Sequence, residues 1–233
     1  MKIGLLQCDH VQEQFVHQHG NYPQMFSNWL QQAKMDFSFI TYEAIKEQLP
    51  TDPNEADAYL ISGSRHGVND GHPWIAQLEN VVREFHDLGK KIIGICFGHQ
   101  LIAKALGGKV LRSPNGWGIG MSVNQVLRPK PWMTPQQEQF HLLVSHQDQV
   151  IELPFGAEVI AGSAFCPFYM LQVKHNLLTV QGHPEFTKAY SKALIEQRQQ
   201  FLGKEKAEMG LNSLKLNADD RILAQWTVNF LLS

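Results

Sequence analysis

The chain has 233 residues, 43% of them hydrophobic and 18% charged, enough for one large domain or two small ones around a sizeable core. A formal net charge of −2 with no basic run excludes nucleic acid as a partner, because a phosphate-tracking groove needs clustered Lys and Arg. Three cysteines, Cys8, Cys96 and Cys166, are too few for a disulfide framework and point to a reducing cytoplasm, and no segment approaches membrane-spanning length.

Lys2 to Asp9 reads as a first strand, too short in its apolar run for a signal peptide. His10 to Pro23 is polar and loop-like. Its three histidines, His10, His17 and His19, have no further ligand at a recognisable spacing, so no metal site is expected there. Met25 to Lys34 has helical periodicity, and Phe37 to Tyr42 and Ala58 to Gly63 read as the next strands. The third strand ends in Ser62-Gly63-Ser64-Arg65-His66-Gly67. A glycine-bearing loop at a strand's C-terminal end is where α/β folds place ligand contacts, although an ordinary turn has the same composition. Pro73 to Gly89 reads as a helix with Pro73 in its first turn and a core-facing stripe of Ile75, Leu78, Val82 and Phe85.

Lys91-Ile-Ile-Gly94-Ile-Cys96-Phe-Gly98-His-Gln100 follows. It reads as a buried strand, a tight turn and a helix whose apolar positions, Leu101, Ile102, Ala105 and Leu106, end at Gly107-Gly108. Cys96 then sits at the corner, at a helix N-terminus. Free backbone N–H groups and the helix dipole stabilise a thiolate there. A lone cysteine is more often a small buried hydrophobe. Gly94 and Gly98, two residues to either side, favour the reactive reading because they allow close backbone approach and unusual dihedrals. The alternation of strands and helices to this point implies a parallel sheet with helices on both faces.

Beyond Lys109 the elements shorten. Lys109 to Leu111, Met121 to Leu127 and Glu158 to Ala161 look like strands, and Pro135 to Leu143 looks like a short helix leading into Val144-Ser-His-Gln-Asp148. Phe168 to Lys174 and Leu177 to Gln181 form a hairpin pattern turning near His175-Asn176. The second strand runs into Gly182-His183-Pro184-Glu185-Phe186. Pro184 keeps the residue before it extended, so His183 and Glu185 should project to one side, as a base and its orienting carboxylate do. A surface turn would explain the tripeptide equally well. Thr187 to Leu202 and Ala218 to Leu232 read as helices, the latter capped by Asn217 or Asp219. Gly203 to Leu216 stays open between helix and connector.

Gly94-Ile-Cys-Phe-Gly-His-Gln100 followed by Gln181-Gly-His-Pro-Glu-Phe186 resembles the class I, triad-type glutamine amidotransferases, over residues 1–190. Val144-Ser-His-Gln-Asp148 is similar to the Ser-His-Gly-Asp stretch of the amidotransferase domain of GMP synthase, with Gln147 in place of glycine. The long tail is similar to stand-alone GMP-synthase-like members. The resemblance implies an α/β, flavodoxin-like fold: a mostly parallel central sheet with helices on both faces, and a C-terminal helical extension, 191–233, packed on the domain formed by 1–190. It implies Cys96 as nucleophile, His183 as its base and Glu185 as orienter. The backbone N–H groups of Gly63 and Phe97 would form the oxyanion hole, and Gln100, Ser145 and His146 would contact substrate. Neither metal nor cofactor is implied. Cys8 and Cys166 would be structural. Two departures bear on the donor: Ser64-Arg65 follows Gly63 where many relatives have proline, and Gly118 stands where some have an acidic residue.

A synthesising amidotransferase needs an acceptor and usually ATP, yet the chain has no Walker A pattern and no Ser-Gly-Gly-Xaa-Asp-Ser loop. The leading expectation is therefore a cytoplasmic glutaminase that hydrolyses glutamine through a glutamyl thioester and passes ammonia to a separate synthetase subunit. The alternative is a free-standing hydrolase of γ-glutamyl peptides or amines, and the third reading a non-catalytic binding module.

Overall fold

The computed structural model describes residues 1–233. In chain order the elements are β1 (Lys2–Leu6), α1 (Glu13–His19), α2 (Tyr22–Gln31), β2 (Ser38–Tyr42), β3 (Ala58–Ile61), α3 (Pro73–Asp87), β4 (Lys91–Ile95), α4 (Phe97–Ala105), β5 (Lys109–Arg112), β6 (Gly118–Val126), β7 (Gln139–His146), β8 (Asp148–Glu152), β9 (Ala157–Gly162), β10 (Met170–Val173), β11 (Leu177–Val180), α5 (Lys188–Gln197), α6 (Gln199–Leu202), α7 (Lys204–Ser213) and α8 (Asp220–Leu232). A nine-stranded sheet runs β2-β1-β3-β4-β11-β10-β9-β6-β7, and β5 pairs with β8 beside it. Strands β2, β1, β3, β4 and β11 are consecutive parallel neighbours, and of the remaining four only β10 and β6 run against them. No helix is long and apolar enough to cross a membrane.

Successive strand residues point to opposite faces, and the apolar runs of the parallel strands fill a core on each side. One face joins Ile93, Ile95, Leu178 and Val180 to Trp29 of α2 and Trp226 and Phe230 of α8. The other joins Ile92 and Leu177 to the α3 stripe and to Leu101 and Ile102 of α4. The C-terminal tail is part of the first core: the Trp29 indole N–H donates to the Asp220 carbonyl at 2.9 Å, and that of Trp226 to the Pro135 carbonyl at 2.8 Å.

Four local expectations are corrected. The segment read as a loop from His10 to Pro23 contains α1 and the start of α2. Asn21 caps α2 by accepting from the Tyr22 N–H, and Pro23 is tolerated in a first turn, where its missing donor is not needed. The stretch read as a helix from Pro135 to Leu143 holds the first part of β7 instead. It pairs antiparallel with β6 from Gly118↔His146 to Gln125↔Gln139, and Phe140, Leu142 and Val144 are buried, so long-range pairing overrides the local signal. The helix expected from Thr187 to Leu202 is broken at Arg198, which joins α5 to α6 with φ −92° and ψ 4°. Asp219 occupies the N-cap position of α8 without capping it: its Oδ2 accepts the His141 N–H at 2.8 Å. The open segment after Gly203 contains α7.

Candidate active site

Three neighbouring strands, β3, β4 and β11, end side by side, with Ile61 opposite Gly94 and Val180 opposite Ile95. Their C-terminal continuations carry Gly63, Cys96 and His183. Ligands of open α/β sheets bind outside the carboxyl ends of the strands, and the sequence-predicted residues converge there.

Cys96 joins β4 to α4 with φ 51° and ψ −96°. A non-glycine residue rarely adopts positive φ, and holding it there costs on the order of 1–3 kcal/mol. The surroundings enforce it. The Cys96 N–H donates to the Val180 carbonyl at 2.9 Å, and its carbonyl accepts the Gln100 N–H at 3.1 Å. The flanking glycines let the backbones close up: a Cβ on Gly94 would lie 2.7 Å from the Gly98 carbonyl oxygen, and one on Gly98 would lie 2.5 Å from that of Ile61. The strained corner aims the thiol into the cleft at the start of α4.

His183 Nδ1–H donates to Glu185 Oε1 at 2.7 Å, with both side chains buried. That bond fixes the tautomer and leaves Nε2 for Cys96. Burial pushes the imidazole pKa down, but the Glu185 carboxylate and the Cys96 sulfur push it up by more, so His183 stays well above its ordinary value. The ring is held from every side. Phe186 stacks on it at 3.9 Å between centroids and 10° between planes, the His183 N–H donates to the Leu143 carbonyl at 2.8 Å, and Gly63 lies so close to the ring's Cε1 that a Cβ there would come within 2.8 Å.

The N–H of Gly63 and that of Phe97, at the first position of α4, donate to no protein group. Both sit beside Cys96 and can serve an oxyanion. Behind them, the Ser62 hydroxyl accepts the Cys8 N–H at 2.9 Å and donates to the Gly63 carbonyl at 2.9 Å. Buried Asp9 takes the Arg65 guanidinium through two bonds of 2.8 Å and the Arg65 N–H through a third. Burial raises the Asp9 pKa, but the bonds from Arg65 and His10 outweigh that and hold it below the usual aspartate range.

The expected substrate contacts differ in what the structure makes of them. Gln100 is buried and its amide N–H donates to the Asp148 carbonyl at 2.8 Å and to the Gln181 Oε1 at 3.1 Å, an inward arrangement that positions its neighbours. Gln181 in turn aims its amide nitrogen at the Cys96 sulfur, 3.5 Å away. Ser145 lines the cleft and accepts from Arg198 at 2.6 Å. His146 is buried, its Nδ1–H donates to the Asp148 carbonyl at 3.2 Å, and burial together with nearby His183 holds it neutral, near pKa 4. The cleft above Cys96 is about 650 Å³.

A family model, glutamine amidotransferase class-I, matches the sequence over residues 18–199. The chain belongs to the class-I glutamine amidotransferase family. Within that family it is similar to gamma-glutamyl peptidase 4 of Arabidopsis thaliana, 32% identical over 77% of this chain and 75% of the relative. It is also similar to GMP synthase [glutamine-hydrolyzing] of Aeropyrum pernix, 32% identical over 61% of this chain but 26% of the relative. A glutamine amidotransferase from Thermotoga maritima shares the fold with TM-score 0.74 at 20% identity, over 99% of this chain and 96% of that one. The flavodoxin-like α/β fold of the class-I amidotransferases is therefore the fold of this chain.

Three residues at the site escaped the sequence reading. Asp9 lies in the loop after β1, 56 residues from its partner Arg65, with no local pattern to connect them. Gln181 stands in the motif that carries the resemblance but receives no role there; it lies just past β11, and only the fold shows its amide aimed at the thiol. Arg198 lies in the tail beyond every motif, and only the break between α5 and α6 brings it to the cleft.

Proposed function

We propose that this chain is a cysteine hydrolase of γ-glutamyl amide bonds. The observation that carries the reading is the buried Cys96–His183–Glu185 arrangement beside two unpaired backbone N–H groups. The Cys96 thiolate attacks the γ-carbonyl carbon, and the oxygen, now negative, takes hydrogen bonds from the Gly63 and Phe97 N–H groups. Each such donor is typically worth about 2.7–4 kcal/mol in the transition state. The C–N bond breaks as the protonated His183 Nε2 gives its proton to the leaving nitrogen, and a glutamyl thioester remains on Cys96. His183 then takes a proton from water, which attacks the thioester, and glutamate leaves with the thiolate restored. Glu185 holds the imidazole in register and stabilises its cationic form. Gln100 and Gln181 position the thiol, and Ser145 and His146 line the binding side.

Glutamine and γ-glutamyl peptides present the same carbonyl to Cys96, and only the departing group separates them. A peptide donor is the reading we favour. A cleft of about 650 Å³ falls in the range that buries drug-sized ligands, well beyond one amino acid. The peptidase relative aligns over three quarters of its own length, whereas the GMP synthase relative is matched over 26% of its own. The second reading is a glutaminase subunit that hands ammonia to a separate synthetase, supported by the 32% identity with that relative over 61% of this chain.

The test is glutamate release by the purified chain from glutamine and from a panel of γ-glutamyl peptides and amines, with acid-quenched mass spectrometry of Cys96. Turnover of peptides well above glutamine, with a γ-glutamyl adduct on Cys96, is expected. Turnover of glutamine alone would favour the glutaminase reading over the peptidase one, and absence of adduct and turnover with every donor would remove the hydrolase assignment.

A further inference from the structure

Arg198 is a cation without a carboxylate partner. It makes no ion pair with any carboxylate, unlike Arg65, which Asp9 neutralises, and Arg112, which lies 3.9 Å from Asp148. Its guanidinium donates once to a protein group, to the Ser145 hydroxyl at 2.6 Å, and lies over the Trp117 ring at 5.2 Å. Both contacts are neutral and both orient the group without discharging it. Burial lowers its pKa, and the groups that counter the burial are Tyr190, Tyr22 and Cys96, none of them a carboxylate and the last a thiolate that the reaction itself consumes. Desolvating a cation without a partner is costly, so an arginine held this way in a cleft is poised for an anionic ligand. The planar fork matches a carboxylate through two parallel bonds.

The direction in which that carboxylate must lie follows from the triad. His183 delivers the proton to the departing nitrogen, so the leaving group occupies the His183 side of Cys96. Arg198 and Ser145 line a narrow recess together with His183 and Phe186, and also line the main cleft. Phe97 and Gln100 line the main cleft alone. We propose that Arg198 is the binding residue for the free carboxylate of the departing amino acid or peptide. It makes a γ-glutamyl peptide with an unblocked carboxylate the preferred donor over γ-glutamyl amines and glutamine, whose leaving groups carry none. Ser145 and Trp117 are its positioning residues. The proposal rests on the γ-glutamyl hydrolase reading above.

The test compares kcat/KM for three donors: a γ-glutamyl dipeptide, the same dipeptide with its C-terminal carboxylate amidated, and the dipeptide with its glutamyl α-carboxylate amidated. The native chain is expected to lose about 10- to 100-fold on amidation of the leaving group, the range of a charged hydrogen-bonded pair, mostly in KM. Arg198→Gln should hydrolyse acid and amide at nearly equal kcat/KM, and Arg198→Lys should recover part of the preference. Ser145→Ala, which leaves the guanidinium in place but loosens it, should narrow the preference without abolishing it, and it serves as the second variant if Arg198→Gln folds poorly by circular dichroism. An unchanged preference in Arg198→Gln, or loss of preference at the glutamyl α-carboxylate instead, overturns the assignment and leaves the hydrolase reading standing. Lack of turnover and of Cys96 adduct with all three donors overturns both.

Discussion

A Cβ atom on Gly63 would lie 2.8 Å from Cε1 of His183. The residue proposed to offer an oxyanion N–H also sets how near the imidazole can come to it. Gly63→Ala is therefore expected to push the ring off its place against Phe186. A displacement of this size at a reacting centre costs about 10²-fold in rate. The fall in kcat/KM should come with little change in melting temperature, and steady-state kinetics beside a thermal melt will check both.

Iodoacetamide should modify the native chain once, at Cys96. Cys8 and Cys166 are buried, and burial raises both thiols, the latter to about 12. Neither forms appreciable thiolate near neutrality. Intact mass followed by peptide mapping reads the stoichiometry. Two or three labels on folded protein would contradict it. Cys96→Ser should take no label and lose hydrolysis while keeping its fold.

Glu185→Gln removes a carboxylate that helps raise His183 and replaces an obligate acceptor by a group that also donates. The imidazole is free to take the wrong tautomer, and a loss of about 10³- to 10⁴-fold in kcat is expected. The His183 titration, followed by NMR, should move down from its native position. The sign of the stability effect follows. A raised histidine stabilises the fold fully below its unfolded value of about 6.5, and that stabilisation is lost as pH rises through the folded value. The native chain should lose stability with rising pH more steeply than Glu185→Gln, as denaturant melts across the alkaline range will measure.

Asp9→Ala strips the loop carrying Gly63 of its anchor. The carboxylate is buried, but the Arg65 side chain is 52% exposed and rehydrates when released. The cost should therefore be about 2 kcal/mol, below the 3–5 of a fully buried broken pair. Asp9 has a depressed pKa, so its contribution is present above about pH 4 and disappears as pH falls through the folded value. The difference between native chain and variant in urea melts should shrink under acid.

What the sequence discloses follows the range of the interactions. The Cys96 corner is legible because strand, turn and helix are local, and both glycines lie within two residues of the thiol. His183 and Glu185 are legible as a local motif, two residues apart, but not for the extended geometry expected of them: β11 ends at Val180, and Pro184 and Glu185 lie in a turn closed by the Phe186 N–H on the His183 carbonyl at 3.3 Å. Asp9–Arg65 joins two loops through a bond with no sequence periodicity. The β7 strand is hidden for a related reason: its hydrogen-bond partners lie in β6, and its own composition, after Pro129, Pro131 and Pro135, imitates a broken helix. Gln100 shows the limit of motif reading from the other side. Its place at the cleft is as expected, but its amide is committed to Asp148 and Gln181, a commitment visible only once the loops are folded together.

Arg198 sits at the break between α5 and α6, fifteen residues beyond His183 by position number, in a segment that supplies no atom of the triad. On the assignments proposed for Cys96 and Arg198, bond breaking and donor choice are carried by different stretches of polypeptide. Changes in the length or pitch of the tail would swing that guanidinium across the cleft while Cys96, His183 and Glu185 stay fixed in the sheet. A lineage of such chains could pass from one leaving group to another through its tail, with the thiol chemistry inherited unaltered.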